Sequence, residues 1–433
     1  MQSMIPRGKF EIESVMAREI LDSRGDPTVE AEVRLSGGAV GRASVPSGAS
    51  VGINEVVELR DNNKRFHGKG TTRAVRNINE VIGPALRGKD AREQEEVDEI
   101  MIKLDGTPQK SKLGGNAILA VSVAVLKAAA TASNRKLYEY VKREEDYLLP
   151  VPLMNVINGG KHAGNELRIQ EFMIIPAGFD SFPEALRAGV EIYHSLKGFL
   201  KSNYGTNAIN VGDEGGFAPP MKRTIEALDA LTRAIELAGY HPGADVFLGI
   251  DAAASNFLDP KTNKYTLDNK ALSSYDLLQF YKNIVEQYPV RSIEDPFHEE
   301  DFEAFATIEK ELGGKVQIVG DDIFTTNISR VSKGVRMGAA NALLFKLNQV
   351  GTITEAFETF DLAKKSGWNV IVSHRSGETE DTYIADISVG KASGQIKTGA
   401  PCRGERTAKY NQLLRICEEL TTRAGFSKVK FFS

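Results

Sequence analysis

The sequence predicts an α/β protein in which a (β/α)8 barrel follows a smaller α+β domain. Six short apolar runs in the second half, VFLGIDAA, RSIEDPF, QIVGDDIF, ALLFKLNQVG, NVIVSHRSG and GQIKTG, each end on a residue able to do chemistry. They deliver Asp251, Glu294, Asp321, Lys346, His374 with Arg375, and Lys397, spaced 23 to 43 residues apart. Strands that open apolar and finish charged, at such a repeat, are the pattern of a barrel whose active site lies at the strand C-termini. The first part of the chain instead runs strands and then helices without alternation, which describes an α+β module. Finally, 433 residues exceed one ordinary domain but accommodate a barrel of about 250 residues and a second module. The expected division is residues 1–147 for the N-terminal α+β capping domain and 148–433 for a TIM-like barrel.

From about Lys9 to Arg60 the segments FEIESVMAREIL and PTVEAEVRL alternate with a period near two, parted by the turn signals DSRGDP and SGG, and read as strands. From Thr71 to Asn134 the pattern is helical. The Ala/Val-rich run Asn116–Ser133 has the small side chains that permit close packing, so this helix is expected to be buried. Its apolar stretch Ala117–Leu126 stops at Lys127, half the length a membrane span needs. The stretch Asp146–Pro152, with two prolines among Leu and Val, marks the boundary. Strand–helix alternation then continues to the C-terminus, with no internal repeat.

Composition narrows the function classes. With 41% hydrophobic and 26% charged residues the chain is that of a soluble globular protein. A formal net charge of −4 gives no positive field for nucleic acid or anionic lipid. Two cysteines, Cys402 and Cys417, with no CxxC, exclude a disulfide framework and a cysteine zinc site and suit a reducing compartment. The N-terminal MQSMIPRGKFEIESV lacks the apolar core of a signal peptide. A cytoplasmic protein with no nucleic-acid or membrane partner is expected.

The barrel residues point to metal-assisted proton chemistry. Hard cations such as Mg²⁺ want oxygen ligands, a few carboxylates plus water and substrate oxygens. Asp251, Glu294 and Asp321 stand at the ends of successive strands, where they can converge on one ion. Lys346 interrupts an apolar strand, and burying an unpaired ammonium is costly. To serve as a base it must fall about 3 units from its usual value of ~10.4, roughly 4 kcal/mol of differential interaction. A nearby metal and Lys397 are expected to supply that by disfavouring the charged form.

Earlier in the chain, Asn158-Gly-Gly-Lys-His162-Ala-Gly forms a glycine-rich loop, Gln170-Glu171 closes the next apolar segment, and GDEGGFAP carries Asp213 and Glu214. If Glu171 and Glu214 share a site, repulsion raises one pKa and keeps an acid protonated near neutrality. In SHRSGETED, adjacent Ser373 and His374 point to opposite strand faces, against a hydrolase pair. Arg375 with Ser376 suits phosphate or carboxylate. The GxSxG at Gly48–Gly52 lacks the strand–turn–helix context of a nucleophile elbow. GKGTT at Gly68–Thr72 fails the phosphate-loop pattern, with Asn63 and Gly70 at its required positions.

On LDSRGDPTVE, VPSGAS, LDGTPQKSKLGGNAILAVS, NVINGGKHAGN, QEFMIIP, GDEGGFAP, GIDAAAS, SIEDPF, VGDDIF, KLNQVGT, SHRSGETEDT, GQIKTG and AKYNQLLRI, the chain resembles the enolase family from about Val15 to Leu420. The resemblance implies a hydro-lyase of glycolysis and gluconeogenesis. It reversibly dehydrates 2-phospho-D-glycerate to phosphoenolpyruvate through an aci-carboxylate intermediate, with two Mg²⁺ ions per site. It implies Lys346 as the base that takes the α-proton, and Glu214, assisted by Glu171, as the acid at the departing hydroxyl. Asp251, Glu294 and Asp321 are implied as ligands of the first ion, and Ser50 as the residue gripping the second. Lys397 is expected at the substrate carboxylate, Arg375 and Ser376 at the phosphate, with His374 in the substrate pocket and His162 in a closing loop. Glu30 and Arg415 match a pair that bridges subunits, so a homodimer or octamer is expected.

Four positions depart from the family pattern: Val51 for threonine beside Ser50, Asn256 for glutamate, Asp26 for asparagine and Phe302 for tryptophan. Only Val51 adjoins a proposed site, and it predicts weaker affinity for the second ion. Two rival functions are a racemase or cycloisomerase of the same superfamily and a non-catalytic scaffold. The phosphate-type SHRSGE and acid-bearing GDEGG oppose the first. The complete set of catalytic positions opposes the second.

Overall fold

The computed structural model describes residues 7–49, 52–142, 147–429 and 431. Ile12–Leu21, Pro27–Leu35 and Val40–Ser44 form an antiparallel sheet in chain order. One face of the middle strand, with Val29, Ala31, Val33 and Leu35, is completely buried. The helix Gly115–Ala132 lies across this sheet. The approach needs Gly41, because a Cβ there would run into the helix backbone at Ala124 and Ala128.

That helix matches the expected run Asn116–Ser133 to within one residue at each end. It continues past Lys127 to Ala132, because Lys127 turns its ammonium outward to Asp381 Oδ1 at 2.6 Å and Arg42 O at 2.8 Å. By length and composition it is able to cross a membrane, yet 89% of it is buried inside the protein, where the core surrounds it.

The larger domain is a closed barrel of eight strands in chain order: Val151–Asn158, Glu171–Ile175, Phe247–Asp251, Val290–Glu294, Gln317–Gly320, Ala342–Phe345, Asn369–Ser373 and Gly394–Lys397. The second runs antiparallel to both neighbours, and the other strand pairings are parallel. Its N-terminal end therefore sits at the rim where the parallel strands have their C-terminal ends. The barrel interior is filled by side chains such as Val151, Met173, Phe247, Val319, Leu344 and Ile371, so the barrel is a packed core and not a pore.

The two domains meet at the barrel mouth. Ser47 and Gly377 exchange backbone hydrogen bonds of 2.8 and 2.9 Å. Asp98 accepts from Thr354 N at 3.0 Å and Thr354 Oγ1 at 2.7 Å, beside the first turn of helix Ile353–Lys365. Ser122 Oγ accepts from Ile353 N at 3.0 Å, so the smaller domain satisfies amides that the helix start leaves without partners.

Candidate active site

The strand register assembles the rim. Glu171 lies opposite Asp251 and Asn158, and Asp251 lies opposite Glu294. Asp321, Lys346 and His374 each follow directly on a strand end, and Lys397 closes the last strand opposite Ser373. These residues line one cleft, with Glu294 buried behind the Lys397 ammonium. Glu171 reaches the rim differently from the sequence expectation. It opens the reversed strand and does not close an apolar segment.

Glu214 lies on no barrel strand. Its loop runs beside the first strand, with Phe217 N donating to Val156 O at 2.9 Å and Asn158 N donating to Phe217 O at 2.8 Å. The approach requires Gly216, where a Cβ would meet Asn158. The carboxyl accepts from Asn155 Nδ2 at 2.9 Å and Ser376 Oγ at 3.0 Å, with His374 Nε2 at 3.5 Å.

Lys397 is clasped by carboxylates: both oxygens of Glu294 and one of Glu171 at 2.9 Å, and Asp251 at 3.5 Å. Burial works against its charge, but Glu171, Glu294, Asp251 and Glu214 outweigh burial and raise its pKa well above the usual lysine range. Lys346 Nζ contacts Asp321 Oδ2 at 2.5 Å, and Gln349 Nε2 donates to Asp321 Oδ1 at 2.8 Å. Burial pushes the Lys346 ammonium down, but Asp321 more than offsets it and the net shift is upward. The shift is thus opposite to the expected fall in the Lys346 pKa, because its charged neighbour at contact distance is the Asp321 carboxylate. Asp321 shifts the opposite way: burial raises it, and Lys346 more than reverses that.

Burial, then the Glu214 charge, pushes Glu171 well above the ordinary carboxylate range. Burial and Asp251 do the same to Glu294. Glu171, with Glu214 as its largest repulsive neighbour, therefore holds its proton to higher pH than an ordinary carboxyl. Arg375 is buried against Glu55, with Nη1 at 2.9 Å from Oε2 and Nη2 at 3.3 Å from Oε1, and it also donates to Asn348 Oδ1 at 2.9 Å. Ser50 and Val51 lie outside the described residues, between Ala49, which lines the cavity, and Gly52. His162 ends the short turn Gly160–His162 in the loop after the first barrel strand.

A hard divalent cation fits this donor set. Asp251, Glu294 and Asp321 offer only carboxylate oxygens, and six carboxylates face three cations around the cavity. Burial first, and then the charges of Asp251, Asp321 and Glu171, raise the pKa of Glu294. Among the described residues, the one trio whose ligand atoms all lie within 4.8 Å of one another is Asp295, Asp321 and Asp322. Asp295 is already committed, accepting from the backbone N–H of Asp321 at 3.0 Å and of Asp322 at 2.8 Å. The trio expected from the sequence is spread because the Lys397 ammonium lies against Glu294 and Asp251 and Lys346 holds Asp321.

Sequence reasoning missed Glu55, Asn155, Gln349 and Arg406. Gln349 stands within the quoted motif KLNQVGT, which was the available signal. Arg406 sits in a polar stretch, RGERTAK, that looks like solvated surface, and Glu55 sits in INEVVEL, a mixed segment with no motif of its own.

The N-terminal domain of enolase matches residues 12–141, and its C-terminal TIM barrel domain matches residues 146–433. The chain is 59% identical over 420 residues to the enolase of Methanocaldococcus jannaschii, covering 97% of each chain. It is 59% identical over 415 residues to that of Methanopyrus kandleri, covering 96% of this chain and 97% of the relative. It is 57% identical over 422 residues to that of Pyrococcus furiosus, covering 98% of each. With both domains matched in order and the acid-and-lysine rim in place, the chain belongs to the enolase family.

Proposed function

We propose that this site carries out the reversible, Mg²⁺-dependent dehydration of 2-phospho-D-glycerate to phosphoenolpyruvate, with Lys346 as base and Glu214 as the group at the departing hydroxyl. One observation carries the division of labour. Lys346, Asp321 and Gln349 form one hydrogen-bonded cluster, and Glu214, Asn155 and Ser376 form another, with His374 Nε2 3.5 Å from Glu214; both reach the same cavity. A base and an acid in separate networks act on different atoms of one substrate without neutralising each other.

Lys346 takes the α-proton once it is deprotonated, which requires Asp321 to give up its contact. Asp251, Glu294 and Asp321 would hold the first of two ions, and Ser50 the second. When bound, Mg²⁺ supplies positive charge beside the substrate carboxylate, where negative charge develops on proton removal. Lys397 stands over the same region and orients the carboxylate. Arg375 and Ser376 bind the phosphate, Arg375 through the bidentate geometry that a guanidinium favours. Glu171 holds a proton next to Glu214 and assists loss of the hydroxyl, with His374 and the His162 loop enclosing the substrate.

We also place the chain in the cytoplasm, in keeping with its two free cysteines, as a homodimer or octamer. The outer strand Ile12–Leu21 has no strand partner on its outer edge among the described residues, where Asn79 bonds both backbone groups of Ala17, and it exposes Met16 and Leu21. Neighbouring Glu30 is engaged within the chain by Arg18 at 2.5 Å and Ser44 at 2.9 Å. Light scattering of the purified chain reads the assembly directly.

The test of function is ultraviolet absorbance of phosphoenolpyruvate formed from 2-phosphoglycerate, with Mg²⁺ and again with excess chelator. Magnesium-dependent turnover is expected. A folded, metal-loaded protein without turnover would favour the scaffold reading.

A further inference from the structure

Arg406, on the helix Gly404–Leu420, has a fully buried side chain and no part in the chemistry above. Its Nη1 lies 2.6 Å from His374 Nδ1 and donates to Arg375 O at 2.7 Å. Its Nη2 donates to Ser376 O at 2.6 Å and to Asp213 O at 3.0 Å. One cation therefore ties the loop carrying His374, Arg375 and Ser376 to the loop carrying Glu214.

The contact with His374 has a consequence for the ring. A guanidinium has donors only and stays protonated in proteins. A 2.6 Å approach is then an N–H···N bond only if Nδ1 presents a lone pair; a protonated Nδ1 would set two hydrogens face to face. The imidazole proton is left on Nε2, the nitrogen 3.5 Å from Glu214 Oε2. A second proton has nowhere to go but Nδ1, against the guanidinium. The surrounding charges agree. Burial opposes the imidazolium, Glu214 and Glu378 favour it, Arg406 opposes it, and the ring's pKa falls to about 4. Glu378 is itself paired with buried Lys409 at 3.0 Å.

We infer that Arg406 is a positioning residue that locks His374 as the neutral Nε2–H tautomer, so that the ring turns an N–H and not a lone pair toward the Glu214 carboxyl 3.5 Å away, which Asn155 and Ser376 already bond. The catalytic consequence rests on the reading of Glu214 as the group at the leaving hydroxyl; the tautomer does not. With two donors bonded to it and an N–H facing it from 3.5 Å, the Glu214 carboxyl keeps one orientation toward the cavity. In the other tautomer His374 would turn a lone pair on the carboxylate and lose its bond to Arg406.

The test is a long-range proton–nitrogen NMR spectrum of the full chain labelled with ¹⁵N-histidine, with His374 assigned by its loss in His374→Gln. Between pH 5.5 and 8.5 the expected spectrum shows His374 protonated on Nε2 and not titrating. A proton on Nδ1, or a titration near the ordinary value of ~6.5, overturns the proposal from the wild type alone. Two variants extend it. Arg406→Lys keeps an obligatory donor and should retain the tautomer. Arg406→Gln offers an acceptor as well, and should let His374 titrate or change tautomer while kcat falls roughly 100-fold and α-proton exchange persists. A folded Arg406→Gln protein with the wild-type His374 spectrum would also overturn it. If Glu214→Gln still eliminated hydroxide, the Glu214 role would fail while the His374 spectrum stood.

Discussion

At the floor of the barrel, Gln317 Nε2 donates to Ser292 Oγ at 3.2 Å and to Gln395 Oε1 at 3.0 Å, while Gln317 Oε1 accepts from Gln395 Nε2 and Asn369 Nδ2 at 2.8 Å each. At the mouth of the same barrel, Glu171, Glu294 and Asp251 crowd a single ammonium, and burial with mutual repulsion raises the pKa values of Glu171 and Glu294. Both ends bury polar groups. The floor uses neutral amides whose donors and acceptors satisfy one another, worth about 1 kcal/mol per bond. The mouth gathers like charges that a dication and an anionic substrate would later separate. The difference teaches where this fold keeps its stability and where it gives some up for chemistry.

The comparison breaks most visibly at the mouth. Lys346→Ala is expected to lower turnover on the order of 10⁴-fold and to stop exchange of the substrate's α-proton with solvent, followed by NMR in deuterium oxide. Glu214→Gln should keep the exchange and lose elimination. Exchange at the wild-type rate in Lys346→Ala would remove it as the base, and loss of exchange in Glu214→Gln would move that residue to binding or deprotonation.

A smaller effect of opposite sign separates the two ends in stability. Gln317→Leu leaves Ser292, Gln395 and Asn369 short of partners and should cost about 2–3 kcal/mol with turnover close to wild type. Glu171→Gln replaces a carboxyl that burial and its neighbours oblige to hold a proton, and should stabilise the protein in chelator by about 1 kcal/mol while turnover collapses. Denaturant unfolding with chelator present measures both. Equal signs would mean that the mouth does not carry the electrostatic cost assigned to it.

Asp98 asks whether burial alone, without crowding by like charge, has the same result. It is buried between the domains among neutral donors, and burial, opposed by bonds from Ser122, Thr354 and Gln94, raises its pKa from 3.8 to about 6. The folded state then holds the proton more tightly than the unfolded chain. The stability this contributes is fully present below pH about 3.8 and is lost as pH rises through about 6. The non-titrating Asp98→Asn should therefore gain about 2 kcal/mol on the wild type between pH 4.5 and 7. A constant difference across that range would show that Asp98 titrates normally.

Much of the rim was legible before the structure because it depends on local properties. A run of apolar residues that ends on a charge announces a buried strand with its last side chain at an end, and Asp251, Glu294, Asp321, Lys346, His374 and Lys397 were found that way. Glu171 and Glu214 were legible as acids near glycine-rich turns but not in their placement. The reversal of the Glu171–Ile175 strand and the docking of the Glu214 loop beside the first strand leave no period or composition of their own. Arg406 was invisible. Its neighbours in RGERTAK are those of an exposed helix, yet its side chain is fully buried.

The sequence by itself determined the two-domain division, the barrel, the residue types at its mouth and the family, since each follows from short-range pattern and motif. Only the tertiary structure decided the partners: Arg375 with Glu55, 320 residues away, Lys397 with three carboxylates, and His374 with Arg406 on one nitrogen and Glu214 on the other. The reason is physical. Which charges meet is set by strand register and domain docking, and burial then makes each meeting strong enough to fix a proton's place.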